Sequence, residues 1–355
     1  GLGDVYKRQA DPLTERLLEV KDQFYWINHT FEHRNLDNVS RQVIEDEINF
    51  NIQFAADNGI TIDPTELVTG EHSGLGNDIY NIDPNPQLPT ALANTGILWI
   101  GADNSVQPDQ YQTGPAMTVP RYPANVFYNV GTGVEQLDVY NYIYTLPPLG
   151  GCQNTATTTC NTEELTWQEY VDVEASIMLP HLISNDPRPH YFHQSNLAED
   201  GVFYDVFGEV LNRYEALYDV ELAQPLFSEA GQIMHRAAQW HAVKNDVTAY
   251  LQAGDVHLQA PSPVDAPITG TPIGDPYWDA QNSGWVTITT TETVLDWIPP
   301  TIELIGSNPM AVPLGTLFAD PGAIATDDVP GDLTDQIVAT STVDDTQIGS
   351  YTVTY

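Results

Sequence analysis

The first hundred residues alternate between two apolar periods, which predicts helices separated by short strands. Apolar residues recur every three or four positions in Asp11–Gln23 and in Ser40–Asn58, as on the buried face of an amphipathic helix. Ser40 can cap the second helix, and Gly59 ends it. Leu88–Asn94 is predicted as a further short helix. Apolar and β-branched runs predict strands at Phe24–Ile27, which we expect to be buried, and at Glu66–Thr69, Ile97–Ile100 and Tyr191–His193.

A long helix is predicted at Ser228–Leu251, where Ile233, Met234 and Trp240 share one face. Strands that alternate with helices form a parallel sheet or a barrel, so the pattern predicts the α/β class. In such folds the chemistry lies on the loops that follow the carboxyl ends of the strands. The polar clusters of this chain follow predicted strands, which indicates an enzyme.

The pattern changes after about Asp255, where Pro, Thr, Gly and Asp dominate and the helical period disappears. Short runs such as Trp285–Thr289 predict strands. The closing segments Pro299–Gly306, Phe318–Ala323 and Gly349–Val353 resemble the bacterial immunoglobulin-like repeats of secreted carbohydrate-active and adhesive proteins. We therefore predict an all-β immunoglobulin-like sandwich at this end of the chain.

These changes divide the chain into four predicted segments. Residues 1–9 look like a translated sequencing adapter and are left out of the reasoning about the fold. Residues 10–254 are predicted to form the α/β domain, and residues 255–298 a β-rich linker. Residues 299–355 are predicted to form the immunoglobulin-like domain, which we expect to be incomplete because the sequence stops in mid-strand at Tyr355.

Charge and cysteine content narrow the class of partner and the compartment. The chain has 11 basic and 49 acidic residues and a formal net charge of −38, which argues against nucleic acid or an anionic membrane as partner. No apolar run reaches the roughly 18 residues of a membrane span. Cys152 and Cys160 flank a polar, Thr-rich loop, which predicts a disulfide and an oxidising compartment. We expect a secreted or cell-surface protein.

The sharpest candidate for chemistry is the pair His29 and His33. Residues four apart on a helical turn point the same way, so their imidazoles can share one metal ion. Neutral imidazole is a common zinc ligand. Thr30 can hydrogen-bond its own loop and hold the first histidine in place.

The segment Asn28–Leu36 resembles the second motif of the polysaccharide deacetylase (NodB-homology) family, which reads His-Ser/Thr-x-x-His. Further sequence segments are similar to the branch of that family that contains fungal galactosaminogalactan deacetylases. The resemblance covers roughly residues 10 to 250. The segments that carry it are Val68–Leu75, Gly101–Ser105, Arg121–Asn125 and Pro189–Leu197. The chain departs from the family at the third motif, because no arginine stands at Val68–Leu75 and Arg121 lies much later.

The resemblance implies a partial (β/α) barrel of the NodB-homology type and a metal-dependent deacetylase. Such an enzyme hydrolyses N-acetyl groups of an amino-sugar polysaccharide. The implied cofactor is zinc or another divalent metal, held by His29, His33 and an upstream aspartate. That aspartate and the aspartate base would lie on a strand before this sequence begins. We therefore expect the 355-residue chain to be inactive as written.

The resemblance also implies roles for residues elsewhere in the chain. His193 stands where the family places the histidine that protonates the leaving amine, and His181 in a Leu-x-His pattern is its competitor. Asp103 is expected to orient the catalytic histidine. The candidate substrate-binding residues are Glu71, His72, Arg121 and Asn196.

Two other functions stay open at this point. A carbohydrate-binding or adhesion protein can keep the fold and lose the reaction, and such a protein need not retain zinc. A hydrolase of glycosidic bonds would need two carboxylates that flank the bond, and no such pair stands out near the histidines.

Overall fold

The computed structural model describes residues 12–155, 158–252, 255–269, 275–276, 283–295, 300–327 and 331–355. Residues 1–9, for which the sequence suggests an adapter, lie outside this description. Contacts divide the chain into two compact units, Gly1–Ala237 and Ala238–Tyr355. The units are described separately below.

The first unit alternates strands and helices along the chain. Its strands are β1 (Trp26–Asn28), β2 (Ile62–Leu67), β3 (Trp99–Asp103), β4 (Gln112–Thr113), β5 (Ala116–Pro123) and β6 (His190–Tyr191). Its helices are α1 (Pro12–Val20), α2 (Arg41–Asp57), α3 (Leu88–Thr95), α4 (Gly133–Tyr144), α5 (Trp167–Ile183), α6 (Val202–Leu217) and α7 (Phe227–Val243). The boundary between the units falls within α7.

The strands of the first unit form one sheet whose parallel members follow chain order. β1 pairs with β2, β2 with β3, β3 with β5 and β5 with β6, all in parallel, while β4 forms an antiparallel hairpin with β5. This confirms the α/β class with a parallel sheet. Successive strands of a (β/α) barrel are neighbours in the same way. The described strands form an open sheet, so closure into a barrel stays a prediction.

Both faces of this sheet are covered by helices, as parallel sheets require. On one face α2 and α3 bury Ile44, Ile48 and Leu92 in a core shared with the strands. On the other face α7 packs through Met234 against the strands. A Cβ atom on Gly231 of α7 would lie 2.5 Å from the Trp99 ring, so the close approach of this helix depends on glycine.

Helices α4, α5 and α6 build a second apolar core in the first unit, with Tyr170 and Val206 fully buried at its centre. Thr166 begins α5 with a capping box to Glu169. Between α4 and α5, Cys152 and Cys160 are joined in a disulfide. The sequence predicts this pairing.

Two predicted elements differ from the structure. The strand predicted at Phe24–Ile27 begins only at Trp26, and Phe24 is 61% exposed. The helix predicted to reach Leu251 ends at Val243, and Thr248–Gln252 is strand β7. This segment pairs antiparallel with a later strand, which satisfies its backbone and overrides the helical pattern.

The second unit is built from short strands beyond the end of α7. They are β7 (Thr248–Gln252), β8 (Asp255–Gln259), β9 (Val264–Thr269), β10 (Asp275–Pro276), β11 (Ser283–Ile288), β12 (Thr293–Leu295), β13 (Thr301–Leu304), β14 (Ala323–Thr326), β15 (Thr340–Ser341) and β16 (Val353–Thr354). The segment 255–298, predicted as a β-rich linker, contains β8 to β12. Two three-stranded antiparallel sheets, β12-β8-β7 and β10-β11-β9, hold a common apolar cluster around Leu258 and Ile288.

The last part of the second unit contains two antiparallel pairs, β13 with β14 and β15 with β16. Ala323 and Ala325 of β14 point inward while Ile324 is exposed, which is the period of two expected of a half-buried strand. In the part of the chain that the structure covers, no helix is both long enough and apolar enough to cross a membrane.

Candidate active site

Polar side chains gather at the carboxyl edge of the parallel sheet. His29 follows β1, His72 follows β2, Asp103 ends β3, Arg121 stands near the end of β5, and His193 follows β6. The carboxyl ends of parallel strands meet at one edge, and ligands of open α/β sheets bind there. The topology therefore brings together residues that are up to 164 positions apart in the sequence (193 − 29).

The two histidines of the candidate metal motif meet through a loop. We expected a helical turn, but residues 29–36 form no helix, and Thr30 and His33 have positive φ angles of 64° and 54°. The ring centroids of His29 and His33 are 4.9 Å apart and the rings are nearly perpendicular. The expectation that the rings lie together is confirmed, while the expected local conformation is wrong.

Buried polar groups give this loop its shape. Asn28 accepts a hydrogen bond from the Thr30 amide (3.0 Å) and donates one to the Ile48 carbonyl of α2 (3.0 Å). The Thr30 hydroxyl donates to the His29 carbonyl at 2.6 Å. Glu47 of α2 accepts the next two backbone amides, those of residues 31 and 32. These hydrogen bonds hold the segment in its loop conformation.

The environment of the pair suits metal ligation in part. His29 Nδ1 lies 2.8 Å from the Val68 carbonyl oxygen, which can only accept, so Nδ1 carries the proton and the Nε2 lone pair is free. Metal-binding histidines typically have this arrangement. A Cβ atom on Gly70 would lie 2.8 Å from the His33 ring, so glycine leaves the space for it. Across the described residues, however, no group of three His, Cys, Asp or Glu side chains could hold a metal ion. The two rings fit two ligand positions, and a third ligand would have to come from elsewhere.

Arg121 and His72 form a partly buried pair beside these rings. Arg121 Nη2 lies 2.6 Å from His72 Nε2, and since a guanidinium can only donate, His72 accepts at Nε2 and carries its proton on Nδ1. Burial, and then the charge of Arg121, lower the pKa of His72 to about 4. Burial also lowers the pKa of Arg121 to about 10. His72 is therefore a neutral hydrogen-bond donor at neutral pH.

Tyr191 joins this pair to Asp103. Its ring lies under the guanidinium of Arg121, 4.8 Å from the guanidinium carbon to the ring centroid, and its hydroxyl donates to Asp103 at 3.1 Å. Asp103 also accepts from the amide and hydroxyl of Ser105. We predicted that Asp103 orients the catalytic histidine directly. Its visible link to His193 instead passes through the Tyr191 ring, whose centroid lies 6.3 Å from that of His193.

The two competing acid residues lie in different surroundings. His193 lies near Arg121 and His33, and its pKa is lowered, first by loss of solvent around the ring and then by those two groups. His181 stacks on Tyr122 with ring centroids 3.8 Å apart, and its Nδ1 lies 3.0 Å from His190 Nε2. The structure thus brings His193, and not His181, to the His29–His33 pair.

A cavity of about 240 Å³ opens beside the cluster. Three residues singled out from the sequence, Glu71, His72 and Asp103, line it together with apolar Leu75 and Val106. A wall with both apolar and polar groups suits a small polar ligand.

Asn196, which we predicted to bind substrate, is fully buried and is not among the lining residues of the cavity. Its side-chain amide donates to the carbonyls of Phe127 and Val130 and accepts from the amide of His193. These bonds hold the loop that carries His193, so the structure assigns Asn196 a supporting position.

The sequence did not point to Glu47, Asn28 or Tyr191 as residues of this site. Glu47 and Asn28 are buried polar residues, but burial is not visible in one sequence. Tyr191 lies in Pro189–Leu197, one of the segments that carry the family resemblance, but no role was predicted for it. A carboxylate among the inward-facing apolar positions of α2 was the one available signal, since Glu47 stands three residues after buried Ile44.

Comparison with known proteins agrees with this architecture at both ends of the chain. Residues 302–355 match the family described as bacterial surface protein, Ig-like domain. The structure also resembles that of a solved protein. That protein is Agd3, described as a novel carbohydrate deacetylase, with a TM-score of 0.60 and 16% sequence identity. The match covers 80% of this chain and 46% of Agd3, so this chain spans about half the length of that protein. At this identity the likeness shows the fold. No curated protein matches the sequence.

Proposed function

We propose that this chain carries the active site of a carbohydrate deacetylase, which hydrolyses N-acetyl groups of an amino-sugar polysaccharide. The observation that carries the proposal is the meeting of His29, His33 and His193 at the carboxyl edge of the parallel sheet. The fold shared with a carbohydrate deacetylase supports the same reaction class. The partial barrel of the NodB-homology type belongs to this proposal, because the strand order agrees with it.

In this proposal His29 and His33 provide two ligands for zinc or another divalent metal. The free Nε2 of His29 and the adjacent His33 ring support this role. When bound, such an ion lowers the pKa of a bound water and polarises the acetamide carbonyl. Among the described residues, no third His, Cys, Asp or Glu side chain completes this ligand set.

His193 supplies the proton for the leaving group. Hydrolysis adds water across the amide C–N bond, and the nitrogen must receive a proton to leave as a neutral amine. The electrostatic effect of His33 on the pKa of His193, and the hydrogen bond to Asn196 that holds its loop, support this role. Acetate and a free amino sugar are the products.

His72 and the cavity orient the sugar. Arg121 keeps the His72 proton on Nδ1, where it can donate to a sugar oxygen. The carboxylates of Glu71 and Asp103 accept from hydroxyl groups, while Leu75 and Val106 cover the apolar face of a ring. We place the substrate residue in this cavity, next to the histidines.

A secreted or cell-surface location completes the proposal. The disulfide between Cys152 and Cys160 suits an oxidising compartment. The family matched by residues 302–355 is one of bacterial surface proteins. A polysaccharide outside the cell is a consistent substrate for a chain with a net charge of −38.

A second candidate is a non-catalytic carbohydrate-binding protein with the same fold. One observation favours it, namely that the described residues complete no three-ligand metal site. Such a protein would bind sugar in the cavity through His72 and Asp103 without needing zinc.

Metal content and acetate release distinguish the two functions. Elemental analysis after zinc loading should find zinc in the wild type and lose it in the His29→Ala/His33→Ala double variant, while the exposed His241→Ala variant serves as control. Acetate release from N-acetylated amino-sugar polymers is then measured for this chain and for a longer product of the same gene that has an upstream aspartate. Unchanged zinc stoichiometry in the double variant would remove the deacetylase proposal.

A further inference from the structure

Glu47 is a buried carboxylate that faces the histidine loop, which is the loop of residues 29–36 that carries His29 and His33. It lies on α2 and is only 5% exposed. Its Oε2 atom accepts the backbone amide of Phe31 at 3.0 Å and that of Glu32 at 2.7 Å. Its Oε1 atom lies 3.2 Å from Nε of Arg34. Each carboxylate oxygen is thus directed to the same loop.

The two amides that Glu47 binds lie between the two candidate ligands. Phe31 and Glu32 occupy the middle of the span from His29 to His33. In this span Thr30 and His33 have left-handed backbone conformations, which are unfavourable for residues other than glycine. Such conformations persist only where the surrounding structure enforces them. Glu47 is one group that enforces this one.

A carboxylate suits this position better than an uncharged acceptor. Hydrogen bonds to an ionised acceptor are shorter and stronger than those between neutral groups. A buried charge also needs several partners, and two backbone amides together with Arg34 provide them.

The same stretch of α2 holds the beginning of the loop. The Ile48 carbonyl accepts from Asn28, and the Asn51 amide donates to the Asn28 side-chain oxygen at 2.9 Å. One turn of α2 from Glu47 to Asn51 therefore binds the loop on both sides of His29. Asn28 acts before the first histidine, and Glu47 acts between the two.

We propose that Glu47 is a positioning residue that holds His29 and His33 in the geometry for shared metal binding. It acts through the backbone of Phe31 and Glu32 and does not contact the metal. The inference rests on the proposed function, and it adds a residue that determines how tightly the pair binds its ion. Groups that orient metal ligands typically contribute 10–100-fold in metal affinity.

The test compares three substitutions of Glu47 with one matched control on the same helix. Glu47→Ala removes both hydrogen bonds, whereas Glu47→Gln keeps an oxygen that can accept the two amides. Asp46→Asn neutralises the neighbouring carboxylate, which interacts with Gln42 and not with the loop. Where Glu47→Ala does not fold, Glu47→Asp carries the test, because its shorter side chain cannot reach both amides.

Two readouts are measured on the 355-residue chain. Hydrogen exchange reports protection of the amides of residues 31 and 32, and calorimetry reports affinity for zinc added as the free ion. We expect Glu47→Ala to lose amide protection and 10–100-fold in zinc affinity. Glu47→Gln should recover part of both, and Asp46→Asn should match the wild type. Wild-type affinity in Glu47→Ala, or an equal loss in Asp46→Asn, would overturn the proposal.

The two readouts separate failure of this inference from failure of the proposed function. If the His29→Ala/His33→Ala variant binds zinc as the wild type does, the metal site itself is refuted, and the inference about Glu47 falls with it. If that variant loses zinc while Glu47→Ala keeps both zinc affinity and protected amides, only the role of Glu47 is refuted.

Discussion

The first unit contains two pairs of neighbouring histidines that differ in what their ring nitrogens contact. In the pair His29 and His33, a backbone carbonyl accepts a hydrogen bond from Nδ1–H of His29 and leaves Nε2 free. In the pair His181 and His190, the two rings hydrogen-bond to each other at 3.0 Å, with an angle of 29° between their planes. The first pair has a lone pair left for a metal ion. In the second pair one imidazole donates to the other, so one of the two ring lone pairs is engaged between the rings, and His181 stacks on Tyr122.

The difference shows that close histidines alone do not define a metal site. What matters is which outside group fixes the tautomer of each ring. The loop of the first pair is held by Asn28 and Glu47, and both act on backbone amides. The second pair is held by its own hydrogen bond and by an aromatic ring, as in a structural contact.

The largest expected effect is on metal binding, and a failure of this prediction would refute the distinction between the two histidine pairs. Replacing His29 and His33 by alanine should abolish zinc binding, because these two imidazoles are the ligands that the proposal takes from the described residues. The equivalent double variant His181→Ala/His190→Ala should retain full zinc stoichiometry. Calorimetry with zinc measures both. Loss of zinc only in the second variant would reverse the assignment of the two pairs.

The next largest effect concerns the proton donor. In a gene product that releases acetate, His193→Ala should keep its metal and lose about 10²–10⁴-fold in turnover. His181→Ala should remain close to the wild type. Because the pKa of His193 is lowered, the alkaline limb of the kcat/KM profile should lie below the ordinary histidine value of 6.5. A large loss in His181→Ala alone would exchange the two roles.

A smaller effect concerns stability and the second pair. Burial, and then the charge of His181, lower the pKa of His190 to about 4 from its ordinary 6.5. The unfolded chain therefore binds more protons between these values, so stability is complete above about pH 6.5 and is lost as pH falls towards 4. In His190→Gln the fall in Tm between pH 6.5 and about pH 4 should be smaller by a few degrees than in the wild type. One kcal/mol of stability corresponds to about 2–4 °C in Tm for a domain of this size. His72 titrates over the same range and remains in both proteins, so the difference between them is the measurement.

The smallest expected effect comes from the second unit. Residues 302–355 match an independent family, and the candidate site is formed by residues of the first unit. Deleting residues 299–355 should change acetate release from small soluble substrates less than about twofold, because domains of this kind fold separately. A collapse of that activity, with the circular dichroism spectrum of the first unit intact, would show that the segment shapes the site.

Much of the fold follows from local patterns in the sequence. The 3.6-residue period places α2 within one residue of its predicted ends, because one face of that helix buries Ile44 and Ile48. The spacing of Cys152 and Cys160 predicts their bond, since only a short polar loop separates them. The proximity of His29 and His33 also follows from spacing, because residues four apart lie close in a turn of either kind.

Other features depend on contacts between distant parts of the chain. Arg121 meets His72 across 49 positions, and Tyr191 meets Asp103 across 88. Neither contact has a local signal, because each arises where parallel strands bring their carboxyl ends together. The same holds for the end of α7, since strand pairing decided the structure of Thr248–Gln252 against the helical pattern.

The histidine loop has one feature that the local sequence determines and one that it does not. The sequence by itself determined that His29 and His33 are near each other and follow a strand. Only the tertiary structure decided that they lie in a loop, which Asn28 and Glu47 hold through hydrogen bonds to the backbone amides of residues 30, 31 and 32. The Glu47 carboxylate reaches these amides from 15 and 16 residues away. Its hydrogen bonds depend on how α2 packs on the sheet, and that packing is a property of the whole first unit.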